Sequence, residues 1–503
     1  MPRPARRWPA SPWAMGLTVG LTVLMGWGAS AAAATASSGA SLTAEPAVPY
    51  LLEMDRLTPE APAIGTARAL LARGAWQSAL EALAPVIQAG AGARPEDRAH
   101  GLMLAAVALA GLGDRARAAA LLDEAAAMRP ASLVIRLNRA RLDWEAGREA
   151  QAAESLERLT PEVEARGQEE LRAWVGALWY RLGAQAEARG DVDEALRRWE
   201  RAWRADPSSA LYPLRYAAAA RSVGRLEQAA GAYEAALARL GNRAEASVLV
   251  EAGLVYLAMR RYEQALSLFE RARAQRPNDA EALYGAGVAL AGLGRLTEAA
   301  ARLREAVGAQ PGHWRAHFAL GTTLTALGAL DEAVRHYEEA VRLAPAVAEL
   351  RIALGQAYLE TGRPRDAEGQ LQAGLALGEA RPEVLYAIGR ARLMDGRPRD
   401  AALSFGGAAS LEPTPEGKAL YLYAQALATE AAGDVPAAIV LLKQAVGLDE
   451  SLFDAHLRLG ELLLASGDAE GALAALRKAA ALRPDDPRLQ RALESARAAA
   501  ASR

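Results

Sequence analysis

The stretch GRPRDA at residues 362–367 occurs again, unchanged, at residues 396–401. A looser form of this motif, a glycine followed by an apolar residue, polar residues and an alanine, recurs along nearly the whole chain. Its alanines are Ala79, Ala118, Ala152, Ala195, Ala229, Ala265, Ala299, Ala333, Ala367, Ala401, Ala438 and Ala472. Those from Ala265 to Ala401 follow one another at a constant interval, the same one that separates the two copies of GRPRDA. A fixed period of this length predicts a repeat architecture.

One repeat unit has the pattern of two helices. Apolar residues fall at helical spacing over residues 281–293, a turn follows, and a second helix is predicted from Leu296 until Pro311 stops it. Gly287 and Ala299 are small where the two helices cross, which lets the backbones approach closely. A single hairpin cannot bury its apolar face alone, so the repeats must stack on one another as a solenoid.

The repeat resembles the tetratricopeptide repeat, whose 34-residue pattern contains tryptophan, Leu-Gly, alanine, an aromatic residue and proline. In residues 179–207 the match is nearly complete, with Trp179, Leu182, Gly183, Gly190, Ala195, Trp199, Ala202 and Pro207. The resemblance covers roughly residues 60–484. It implies an all-α fold, a right-handed α-solenoid of about twelve helix hairpins. Asp486 and Pro487 predict one further helix within residues 485–503, which caps the last repeat.

The N-terminus has a different composition. Residues 1–36 contain three arginines, an apolar run from Trp13 to Trp27 and small residues suited to cleavage, which is typical of a secretory signal peptide. The alternative is an uncleaved N-terminal membrane anchor. Residues 37–59 are rich in Ser, Ala and Pro, and we expect a flexible linker there, ahead of a repeat array over residues 60–484. The predicted location is the periplasm or outside the cell, or the inner membrane facing the periplasm if residues 1–36 remain.

Composition argues against several classes of function. The chain has no cysteine, which excludes disulfides and a lipoprotein anchor. Its net charge is −2, and acidic and basic residues alternate along the helices, so the basic stripe typical of nucleic-acid binding is missing. The repeats leave no segment of about a hundred residues for a catalytic domain. We therefore expect a protein that is not an enzyme and needs no cofactor.

The histidines raise the question of a metal site. His313 and His317 are four residues apart, and His336 lies on the next helix of the same repeat. However, His313 falls in a turn, and His317 replaces a large packing residue. The pattern favours structural roles, and no metal site is predicted.

The resemblance also implies a concave surface, lined by the first helix of each hairpin, that binds partner proteins. Residues three before the small crossing residue, and others along the same face, are the candidates. We predict partner binding by Tyr180, Tyr284, Phe318, Thr322, Thr325, Gln356, Tyr386, Arg390 and Tyr423. By analogy with exported members, the partners are proteins of the cell envelope, in assembly or secretion; the alternatives are direct binding of exported polysaccharide and a membrane-anchored assembly factor.

An insertion, LTPEVEARGQEEL at residues 159–171, interrupts the regular spacing. It predicts a kink or a junction between two superhelical blocks.

Overall fold

The computed structural model describes residues 46–53, 61–88, 94–378 and 380–501. The predicted signal peptide, residues 1–36, lies outside these ranges. The described chain is helical and divides into two compact units, an N-terminal unit whose described part ends at Met259 and a C-terminal unit from Arg260 to Ala501. None of its helices is long and apolar enough to span a membrane.

The N-terminal unit consists of helix hairpins in which each helix packs on the next. A short 3-10 helix, Gly241–Arg243, precedes its last helix. Its helices are α1 (Pro62–Ala72), α2 (Trp76–Gln88), α3 (Pro95–Gly111), α4 (Arg115–Met128), α5 (Leu133–Glu145), α6 (Glu149–Arg166), α7 (Glu169–Ala188), α8 (Val192–Ala205), α9 (Leu211–Ser222), α10 (Leu226–Leu240) and α11 (Ala246–Ala258).

The C-terminal unit continues the same alternation. Its helices are α12 (Tyr262–Gln275), α13 (Ala280–Gly292), α14 (Leu296–Ala309), α15 (Trp314–Ala326), α16 (Leu330–Leu343), α17 (Ala348–Glu360), α18 (Pro364–Leu377), α19 (Pro382–Met394), α20 (Pro398–Leu411), α21 (Pro415–Ala431), α22 (Val435–Leu448), α23 (Phe453–Ala465), α24 (Ala469–Leu482) and α25 (Pro487–Ala501). In the N-terminal unit five consecutive pairs precede α11, and in the C-terminal unit α12 precedes six consecutive pairs and α25, which packs on α23 and α24. The prediction of an α-solenoid of about twelve hairpins with a terminal capping helix is confirmed.

The repeated GRPRDA motif connects the two helices of a hairpin. Gly362 and Gly396 have φ values of 73° and 77°, in the left-handed region that an L side chain rarely adopts. The proline two residues later opens the second helix at its first turn, where its missing N–H leaves no bond unmade. Ala367 and Ala401 are fully buried. The glycine, the proline and the alanine of the motif are thus each explained by the local structure.

The predicted close crossing of the two helices is confirmed at Gly287. A Cβ added there would lie 2.6 Å from Cγ of Leu303. At Gly183 an added Cβ would meet the buried ring of Trp199 at 2.5 Å, and at Gly389 that of Phe405 at 2.6 Å. A large side chain from the second helix therefore packs against a small residue of the first helix. This complementary packing fixes the geometry of the hairpin.

The insertion at residues 159–171 produces longer helices. α6 has 18 residues and α7 has 20, and they meet at Gly167, whose φ is 69°. The division between the two units falls instead between Met259 and Arg260. The prediction that the insertion marks a junction between two blocks is wrong, because its residues continue the helices on either side of one turn.

Candidate functional site

Residues 46–53, which we call the strap, form no regular secondary structure and run along the first helices of the N-terminal unit. They belong to the segment whose composition predicts a flexible linker. The structure differs for these eight residues, because their main chain is hydrogen-bonded to side chains of α3, α5 and α7, and Val48 is only 7% exposed.

The central contact of the strap is made by Asn138 of α5, which is fully buried. Its Oδ1 accepts a hydrogen bond from the backbone N–H of Leu51 at 2.8 Å, and its Nδ2 donates to the Leu51 carbonyl, also at 2.8 Å. One side-chain amide therefore satisfies both backbone groups of one residue, which requires that residue to be extended.

Three more side chains donate to carbonyl groups of the strap. Nε2 of His100 lies 3.0 Å from the oxygen of Leu52, and Nε1 of Trp174 donates to the oxygen of Pro49 at 2.8 Å. Nε of Arg181 donates to the oxygen of Pro46 at 3.1 Å. These donors come from the first helices of the second and fourth hairpins, so the strap runs from the fourth hairpin back towards the first.

Tyr50 is the side chain that the groove holds most specifically. The guanidinium of Arg141 lies 3.6 Å from the centre of its ring, and its hydroxyl donates to Oε2 of Glu145 at 2.6 Å. Burial, followed by the hydrogen bond to Glu145, raises the pKa of the Tyr50 hydroxyl. The side chains of Leu51 and Leu52 pack against the apolar core of the first hairpins. The groove thus recognises an extended backbone together with a tyrosine and two apolar residues.

The sequence reasoning missed the residues that hold the strap. A signal for them exists two positions before the small crossing residue of each first helix. There the N-terminal unit has polar residues that include Asn138, Arg181 and Arg215, whereas the first helices from α13 to α21 have Gly285, Ala319, Ala353, Ala387 and Ala424. Asn138 and Arg181 use this position to hold the strap, whereas Arg215 pairs there with Glu187. A large polar side chain at this position is therefore a signal for a bound segment only where no neighbouring helix supplies its partner.

The five predicted aromatic residues lie in the packing between helices. Each is at most 8% exposed, and Tyr386 only 1%. Its ring lies 5.3 Å from that of Phe405 and 5.5 Å from that of Tyr421, on the neighbouring helices. Partner binding by these residues on the concave face stays a prediction, and the structure places their rings between helices. They are Tyr180, Tyr284, Phe318, Tyr386 and Tyr423.

The four predicted polar residues divide into two pairs. The hydroxyls of Thr322 and Thr325 donate to carbonyls of their own helix, at 3.0 and 2.9 Å, so their hydrogen-bonding capacity is largely used. Gln356 and Arg390 are half-buried on α17 and α19, where each directly follows the crossing glycine and so occupies the same place in successive repeats. Within the described chain, Nε2 of Gln356 has no hydrogen-bond partner, and the Arg390 guanidinium makes no hydrogen bond or ion pair.

The histidines have structural roles. Nδ1 of His313 caps α15 by accepting from the N–H of Ala316 at 3.0 Å, and its Nε2 lies 2.7 Å from Glu281. His317 and His336 do meet, with their Nδ1 atoms 3.1 Å apart. Among the described residues, no three histidine or acidic side chains converge as a metal would require.

Family models described as tetratricopeptide repeat match residues 250–312, 291–348, 324–391 and 429–496. Among solved structures, the chain is similar to the C-terminal part of a tetratricopeptide-repeat protein from Cytophaga hutchinsonii, with 17% identity, a TM-score of 0.43, and 48% of this chain and 99% of that one covered. A tetratricopeptide-repeat protein from Parabacteroides merdae gives 19% identity, a TM-score of 0.39, and coverage of 49% and 98%.

A third solved structure, YrrB, is described as a tetratricopeptide-repeat protein with an unusual peptide-binding site. It gives 24% identity, a TM-score of 0.31, and coverage of 38% of this chain and 96% of that one. No curated protein matches the chain. On the matching family models and its stacked hairpins, the chain contains tetratricopeptide repeats, matched over residues 250–391 and 429–496.

Proposed function

We propose that this protein is an exported, non-enzymatic scaffold that binds extended segments of partner proteins along the first helices of its hairpins. The observation that carries the proposal is the strap, because it is an extended segment held on that face mainly through its backbone. Recognition of a main chain by side chains of a rigid helical array applies to segments of other proteins as well.

Among the residues that the structure describes, no such segment lies on the corresponding face of the C-terminal unit. Gln356 carries both a donor and an acceptor, as Asn138 does, and Arg390 can donate to a carbonyl or a carboxylate. Both lie half-buried on adjacent first helices, and in the described chain Nε2 of Gln356 and the Arg390 guanidinium make no hydrogen bond, although Glu360 is near enough to Arg390 to interact with its charge. An extended segment crossing α17 and α19 would supply hydrogen-bond partners to both. We therefore place the partner site of the C-terminal unit at Gln356 and Arg390, with Thr322 and Thr325 beside them on α15.

The location is inferred from the N-terminal sequence. Residues 1–36 have the arginines, apolar run and small residues of a signal peptide, so we place the scaffold in the cell envelope, serving assembly or secretion. If these residues are retained, the protein would be an assembly factor anchored by its N-terminus. Direct binding of polysaccharide through the aromatic residues of this face is the alternative; their rings are buried between helices, which favours the protein partner.

The test is site-specific photo-crosslinking with the full chain. A photoreactive amino acid replaces Arg390 or, in a second variant, Gln356, and each protein is irradiated with cell-envelope extract of the bacterium that produces it. We expect both positions to crosslink to one and the same protein, through a single stretch of its sequence.

Arg399 is the matched control. It is an exposed arginine on α20, the second helix of the hairpin that contains Arg390, and therefore outside the first-helix face. Equal crosslinking at residues 390 and 399, or no crosslinked protein at 390 and 356, would contradict the proposal. Fractionation of the same cells tests the location, and recovery of the chain with the cytoplasmic proteins would rule out export.

A further inference from the structure

The strap fills a site that is complete without it, because its partners sit on helices held by the solenoid itself. Asn138 and Trp174 are buried and belong to α5 and α7, which pack on their neighbours through an apolar core. We therefore expect the donors to remain in place when the strap leaves. A groove with fixed donors and one bound segment has the properties of a ligand site with its ligand present.

The strap also has few means to fold by itself. Its eight residues form no regular secondary structure, and the main-chain hydrogen bonds described above go to side chains 48 to 135 positions away in sequence. Its conformation is thus imposed by the groove. Any segment with the same backbone geometry and a tyrosine at the place of Tyr50 would find the same partners.

We propose that the groove over α3, α5 and α7 is a peptide-binding site for an extended segment containing tyrosine followed by two apolar residues, and that the strap occupies it in the free protein until a partner segment displaces it. This inference rests on the proposed function, but it concerns the first-helix face of the N-terminal unit, whereas Gln356 and Arg390 lie on that of the C-terminal unit. The strap is tethered, so its effective concentration at the groove is on the order of millimolar, and a competing segment must overcome that advantage. The strap therefore sets the minimum affinity that a partner segment needs in order to occupy the groove.

The probe is a fluorescent synthetic peptide with the sequence PAVPYLLE, residues 46–53, whose binding is followed by fluorescence anisotropy. It is titrated with the parent full chain and with a full-length variant in which the strap is weakened by Tyr50→Ala and Leu51→Pro. The first change removes the ring between Arg141 and Glu145, and the second removes the N–H that donates to Asn138. We expect the weakened-strap variant to bind the peptide at least about tenfold more tightly than the parent.

Two further variants, made in the weakened-strap background, show where the peptide binds. Asn138→Ala should weaken binding by about tenfold or more, since two hydrogen bonds are lost. Because Asn138 is fully buried, Trp174→Phe provides a milder change that keeps an aromatic ring and removes the N–H donated to Pro49, with an expected loss of several-fold. Arg399→Ala, on the second helix of a distant hairpin, should leave binding unchanged.

The inference is overturned if the weakened-strap variant binds the peptide no more tightly than the parent, or if its binding is indifferent to both Asn138→Ala and Trp174→Phe. It is also overturned if the parent is a dimer that the strap substitutions dissociate, because the strap would then fill the groove of a second copy. None of these outcomes affects crosslinking at Arg390, so failure here and failure of the proposed function can be told apart.

Discussion

The first-helix faces of the two units are built on the same repeat but present different chemistry. In the N-terminal unit, Asn138 and Arg181 stand two positions before the crossing residue and reach the strap. From α13 to α21 of the C-terminal unit the same position is glycine or alanine. At Gly285 an added Cβ would lie 2.3 Å from the ring of Phe269, so the small residue gives its space to a neighbouring helix. One position in the repeat therefore holds the strap at Asn138 and Arg181, makes room for a neighbouring helix at Gly285, and carries an interhelical ion pair at Arg458.

The largest expected effect concerns whether the buried aromatic rings belong to packing. Tyr386→Ala should destabilise the C-terminal unit by about 3–5 kcal/mol, because it removes a ring that contacts two neighbouring helices. Denaturant unfolding followed by circular dichroism measures this. Tyr386→Phe is the control, and it should cost little, because the Tyr386 hydroxyl is buried with no hydrogen-bond partner in the described chain. A decrease of less than about 0.5 kcal/mol in the free energy of unfolding for Tyr386→Ala would show that the ring is exposed and does not contribute to packing.

A smaller effect is expected from loosening the strap. The double change Tyr50→Ala and Leu51→Pro should destabilise the N-terminal unit by about 2 kcal/mol through lost hydrogen bonds and burial. Hydrogen exchange should show reduced protection in α5, with α19 of the C-terminal unit unchanged. Leu403→Ala is the control, since that side chain is 74% exposed and its removal should change neither helix. Unaltered protection of α5 would mean that the strap contributes no stability.

A gain of about 1 kcal/mol is expected from Arg260→Gly, because a left-handed conformation costs an L side chain roughly 1–2 kcal/mol and glycine avoids this cost. Arg260 has a φ of 59° in the turn before α12, at the place where GRPRDA and most other repeats have glycine. Thermal unfolding of the two proteins checks the prediction, and an unchanged or lower midpoint would show that the arginine side chain compensates.

The smallest effect is a difference in acid sensitivity. Burial, and then the neighbouring His317, lower the pKa of His336, and burial likewise lowers the pKa of His317. Nε2 of His317 donates to the carbonyl of Pro311, and the hydrogen bond between the Nδ1 atoms of His317 and His336 requires one of them to lack a proton, so the folded pair cannot carry two charges. Below about pH 6.5 the unfolded chain binds protons that the folded chain does not, so the stability of the C-terminal unit falls as the pH decreases.

The measurement for this prediction is unfolding at pH 6.5 and pH 5. A variant with His317→Leu and His336→Leu should lose less stability over this interval than the parent. A parallel decline of both proteins would show that other groups, such as carboxylates, account for the pH dependence.

Much of the fold could be predicted because the same sequence signals recur in each repeat. The turn glycine, the crossing glycine or alanine and the terminal proline each act locally, and their regular recurrence sets the number of hairpins. The candidate site was harder. Exposure of Tyr284 or Tyr386 depends on how closely neighbouring hairpins approach, which is not a local property. The strap was missed because residues 46–53 have linker composition, and their order comes from partners such as Arg181, far away in sequence.

The separation between the strap and its partners has a consequence for how the chain folds. Stacked hairpins form through contacts between neighbours in sequence, so they can fold one after another and also open one at a time. The hydrogen bond from Arg181 to Pro46 joins residues 135 positions apart in sequence. It can form only after the fourth hairpin has folded. The strap is synthesised before the hairpins but can dock only after they have folded. By joining α3, α5 and α7, it links hairpins that would otherwise open independently, and it should make them unfold together as one cooperative block.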